Sequence, residues 1–87
     1  MYDMRWQSLV IVDLPPPYGP QRISTTREAA DCLMDRWPEP DHSCERDEAL
    51  RICLEVFEGN ASADDARDAL LAAARAAGHA ITVIASP

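Results

Sequence analysis

The chain has 87 residues, 47% of them apolar, and carries 15 acidic against 8 basic side chains for a formal charge of −7. Such a length builds one modest core, which excludes two domains, and the apolar share excludes a disordered chain. Direct nucleic-acid binding is disfavoured too, because the arginines are scattered from Arg5 to Arg75 and offer a polyanion no basic face.

In chain order, the β-branched run SLVIVDL predicts a strand over residues 7–14, PPPYGP a turn, and QRIS a second strand over 20–24. A helix is expected over 26–37. Thr25 followed by Glu28 fits a capping box, Pro38 closes the segment, and Ala30, Leu33, Met34 and Trp37 recur at helical spacing as one apolar face. The second helix is expected over 43–58, capped by Asp41 or Ser43 and stopped by Gly59 and Asn60. Ala49, Ile52, Cys53, Val56 and Phe57 form its inward face, and Leu50 and Leu54 widen the arc, which marks this helix as the central, most buried one.

Ser62 three residues ahead of Asp65, with Asp64 and Asp68 nearby, opens a third helix over 63–77, and Gly78 ends it. Its Ala66, Ala69, Leu70, Ala73 and Ala77 make a smooth face for close helix packing. ITVIA, within residues 80–85, reads as a terminal strand able to join the hairpin. Residues 1–87 therefore form a single α+β domain: three α-helices packed on a short antiparallel β-hairpin, with 80–85 as a candidate third strand.

Nothing approaches the roughly 20 apolar residues of a membrane span, and the run Leu9–Val12 is too short for a signal-peptide core. Three cysteines at no disulfide-scaffold spacing fit a reducing compartment, so a cytoplasmic location is expected.

The succession ISTTREAADCLMDRWP, EALRICLEVFEGN and SADDARDALLAAARAAG resembles the small bacterial domain-of-unknown-function family numbered 982, from about Trp6 to Gly78. Its most specific elements are the Trp-Pro after the first helix, the Cys-to-Gly run closing the second and the Ala-Arg opening the third. The resemblance implies the same α+β fold and carries over no activity, cofactor or catalytic residue. The acidic connector PEPDHSCERD and the ITVIASP tail depart from the pattern.

Candidate chemistry concentrates between Asp31 and Cys53, which hold all three cysteines and His42. A structural zinc site usually draws two ligands from a tight cysteine pair, whereas these cysteines are spaced far apart. On helical projection Cys32 lies away from the Ala30–Leu33–Trp37 face, and Cys53 falls within the apolar arc of its helix. No cofactor or metal is expected. Cys44, in a first helical turn beside His42, is the thiol placed for activation, opposed by Glu45 and Asp47. His79 most simply caps the last carbonyls of the third helix. Asp64, Asp65 and Asp68 are explained by the helix start without a magnesium ion.

What remains is surface. Leu54 and Leu71 are the candidate interface residues, and the hairpin has open edges for the terminal strand or a second copy to cover. The sequence thus points to a non-catalytic interaction or regulatory module with a protein partner or self-association. The alternatives are a thiol- or metal-dependent activity at His42 and Cys44, and an acidic surface that imitates nucleic acid to block a basic partner.

Overall fold

The structure, a computed structural model, describes residues 5–37 and 44–85. Strand β1 (Arg5–Asp13) turns through 14–19 into β2 (Pro20–Thr25), and β3 (Ala80–Ala85) pairs with the other edge of β1. All neighbours are antiparallel and the order is β2-β1-β3. The turn closes where Leu14 N–H donates to the Gly19 carbonyl at 3.1 Å, with Gly19 at φ +68. The candidate third strand is thus part of the sheet.

The pleat sorts β1 into two faces. Trp6, Ser8, Val10 and Val12 are buried against the helices, while Leu9 and Ile11 are half-buried on the opposite side. Ile23 of β2 sits opposite Val10 and is buried with it. One layer of helices therefore covers one face of the sheet.

Helix α1 (Thr26–Asp31) starts with Thr25 as cap, whose hydroxyl accepts from Glu28 N–H at 3.1 Å. The reciprocal half of the expected box is displaced by one residue: the Glu28 carboxylate takes the Ser24 N–H at 2.7 Å and the Ser24 hydroxyl at 3.1 Å. The helix widens into a π turn over Cys32–Arg36. At its end the Leu33 carbonyl is taken by Arg46 of the next helix, whose Nε and Nη2 donate at 3.2 and 2.9 Å. A guanidinium there also suits the negative end of the helix. Near its start, Trp6 Nε1 donates to the buried Thr26 hydroxyl at 3.0 Å, tying β1 to α1.

The expected face of this helix is corrected on two residues. Met34 is 57% exposed, and Cys32 is fully buried with Ala29, Ala30, Leu33 and Trp37. The segment packs on β2 and on both other helices, so its buried arc is wide and rotated away from Met34 toward Cys32.

Helix α2 (Cys44–Phe57) buries only Ala49 and Cys53 completely, and Ile52, Val56 and Phe57 are half-buried. It is not the central helix. It lies at the margin of the layer, mainly against α3 and more lightly on α1, so its broad apolar arc is only partly covered. Helix α3 (Ala63–Ala77) is bounded as expected. Ser62 and Asp65 complete a capping box at 3.1 Å each way, and Gly78, at φ +80, supplies the left-handed stop. It buries Ala66, Leu70, Ala73 and Ala74. Among the described residues no helix is long and apolar enough to cross a membrane.

Candidate functional site

The short connection over 58–62 folds α3 back along α2, and the seam between them is an open groove of about 770 Å³. Its floor is apolar: Ile52 from α2, Ala61 from the connection, and Ala69 and Ala72 from α3. Small alanine side chains let the two helices approach, and they leave a channel rather than a ridge. The walls are acidic. Glu45, Glu48 and Glu55 project from α2, Asp65 and Asp68 from α3, and Arg51 is the single cation among the lining residues.

Both nearby guanidinium groups are already engaged. Arg51 Nε donates to Glu48 Oε1 at 3.0 Å, and its Nη2 donates to the second carboxylate oxygen. This hydrogen bonding holds the Glu48 carboxyl below its ordinary range. Arg67 Nη2 reaches Asp68 at 3.2 Å, and its Nη1 reaches Asp64 at 3.8 Å. Six carboxylates (Glu45, Glu48, Glu55, Asp64, Asp65, Asp68) against two arginines leave the seam with a formal charge of −4. Asp65 is held by its capping bond, and Asp64 and Asp68 by Arg67, which accounts for the acidic cluster at the start of α3.

Cys44 lies at one end of this groove, exposed on the first residue of α2. The other two sulfurs are elsewhere: Cys32 and Cys53 are buried in the core. Burial pushes the Cys53 thiol up to about 11, and it raises Cys32 as well, partly offset by Arg36. Thiolates react and thiols do not. An alkylating reagent at pH 8 is therefore expected to modify Cys44 alone in the native protein and all three cysteines after denaturation. Mass spectrometry of the products checks this, and fast modification of Cys53 in the folded chain would refute it.

His42 lies outside the described residues, so its pairing with Cys44 finds neither support nor contradiction in the geometry. Among the described residues, no group of three or more His, Cys, Asp or Glu side chains is placed to hold a metal ion. At His79 the expected cap is made by the backbone, whose N–H donates to the Ala74 carbonyl at 2.9 Å. The imidazole instead makes a T-shaped contact with Trp37, with ring centroids 5.1 Å apart and planes at 81°. That pairing joins residues distant in sequence and left no trace in local spacing.

Of the two candidate interface leucines, Leu54 stands out at 59% exposure. Leu71 does not: it is half-buried and packed on the core, because the packed surface of α3 extends beyond its alanine face. Besides Met34, the apolar surface residues that sequence reasoning missed include Val83 and Ile84 of β3, each 48% exposed. The β-branched run that makes β3 a strand carries no sign of which edge and face stay uncovered.

The family described as "Protein of unknown function (DUF982)" matches residues 9–81, from the second half of β1 into β3. Comparison with curated proteins and with solved structures finds no match.

Proposed function

The chain belongs to the DUF982 family, whose description assigns no activity, and from its own surface we propose that it works as a non-catalytic protein-interaction module whose α2–α3 groove receives a basic segment of a partner protein. The observation that supports this reading is the charge of the seam: carboxylates on both walls, their nearby arginines already paired, above an apolar floor of Ile52, Ala61, Ala69 and Ala72. A segment with small apolar side chains on one side and arginine or lysine on its flanks would satisfy the floor and the walls together. Complementary charge of this kind speeds encounter and discriminates among partners more than it adds affinity.

The test uses a synthetic amphipathic peptide bearing arginines and a length-matched copy with glutamate in their place, titrated calorimetrically into the full chain. The arginine peptide is expected to bind, to weaken as salt rises, and to slow alkylation of Cys44 at the groove's end. Reversing Glu55→Arg and Asp68→Arg together should abolish binding, while Asp13→Arg with Asp35→Arg, exposed charges outside the groove, should leave most of it. Equal losses in the two double variants would reduce the effect to net charge and overturn the groove as the site.

A further inference from the structure

We propose that two copies of this chain pair through their β3 edges, antiparallel about a two-fold axis, into a continuous six-stranded sheet in the order β2-β1-β3-β3-β1-β2. β3 closes the free edge of β1, and among the described residues the outer sides of β3 and β2 are left without a strand partner, the latter carrying Pro20 and Arg22. An unpaired edge offers a row of free backbone donors and acceptors, and soluble proteins usually guard such edges with charges, prolines or bulges. Residues 80–85, AITVIA, carry none of these guards.

The occupant is identified by charge and by symmetry. At −7 the chain repels copies of itself across its acidic faces, yet neither 80–85 nor the flanking 8–12 of β1, SLVIV, contains a charged side chain. Two copies can meet there without opposing like charges. The two-fold runs perpendicular to the sheet, so residues that face the helix layer in one copy lie opposite residues that face it in the other. Val83 shares the inner face with Val10, its partner on β1, and Ile84 shares the outer face with Leu9. With the axis on Val83, the two Val83 side chains meet on the inner face and Ile84 faces Thr82 on the outer. With the axis on Thr82, Ile81 faces Val83. Either register joins β-branched residues, the pairs that stabilise antiparallel ladders. Val83 and Ile84, each 48% exposed, would lose part of that exposed surface to a second copy.

A six-residue ribbon is small beside the roughly 20–30 residues per side of a standard interface, so the dimer is reversible and concentration-dependent. Its salt response is opposite to that of the groove. Screening the mutual repulsion of two acidic copies strengthens dimerisation as salt rises, whereas binding of a basic segment weakens.

Sedimentation equilibrium on the full chain, over a wide concentration range at low and high salt, tests this. The unmodified chain should show a monomer–dimer equilibrium that tightens with salt, and Ile84→Lys should weaken it by about tenfold or more, since lysine guards an edge. Leu54→Lys makes the same charge change at a comparably exposed apolar site and should not weaken it. Because lysine lowers the net repulsion between copies, lost association in Ile84→Lys alone points to the edge itself. A strict monomer at all concentrations, or a dimer that survives Ile84→Lys, overturns the proposal. Amide hydrogen exchange on the unmodified chain gives a second reading: protection over 80–85 must rise with protein concentration, and protection that does not change with concentration overturns it equally.

Discussion

Replacing Leu70 by alanine is expected to cost about 2–5 kcal/mol and to lower the melting temperature by roughly 10–30 °C. Leu70 is fully buried, and three of its neighbours along the inner face of α3 are Ala66, Ala73 and Ala74. Alanine has no side-chain length with which to move into a vacated space, so the cavity stays open and its lining loses contacts outright. For a chain of this size, whose whole stability is on the order of 4–13 kcal/mol, one such substitution threatens folding. Leu54→Ala is the matching control. At 59% exposure it should change stability by no more than about 0.5 kcal/mol. Urea unfolding followed by circular dichroism measures both, and equal midpoints for the two variants would place the core elsewhere.

Between pH 8 and pH 11 the protein is expected to lose stability, on the order of 2 kcal/mol. An unfolded chain releases the Cys53 proton near the ordinary thiol value of 9.0, but the folded chain holds it until about 11. Across that window the folded state binds more protons than the unfolded state, so stability falls as pH rises, by at most about 1.4 kcal/mol per unit. Below pH 9 the contribution is fully present. Cys32 acts in the same direction, its burial opposed by the nearby Arg36 guanidinium. The absence of lysine keeps side-chain amine titrations out of this range. Urea titrations under reducing conditions at pH 8 and pH 10.5 give the slope, and Cys53→Ala should flatten it even though its starting stability is lower. An unchanged slope in that variant would mean that Cys53 is not the group responsible.

Local signals were legible in the sequence, and neighbour-dependent ones were not. The bounds of α3 follow from Ser62, Asp65 and Gly78, which act within a few residues of themselves. The same holds for the PPPYGP turn and for the β-branched run of β1. By contrast, whether Cys32 or Met34 is buried depends on how many elements wrap α1, and a projection onto a lone helix has no knowledge of that. The rank of α2 failed for the same reason: a broad apolar arc reports appetite for burial, and the number of partners decides how much is met. The acidic groove needed the pairing of two helices, since Glu48 and Glu55 come from one wall and Asp68 from the other. Each was visible only as an ordinary surface charge.

The central place of β1 has a consequence for the nascent chain. Its partner β2 leaves the ribosome almost at once, but β3 cannot arrive until residues 26–79 have been made, about 3–10 s later at usual elongation rates. Throughout that delay the far edge of Leu9–Val12 stands bare, an apolar ribbon that chaperones would recognise and that a neighbouring polysome product could capture. Completion of this small protein thus waits on the arrival of its β3 strand.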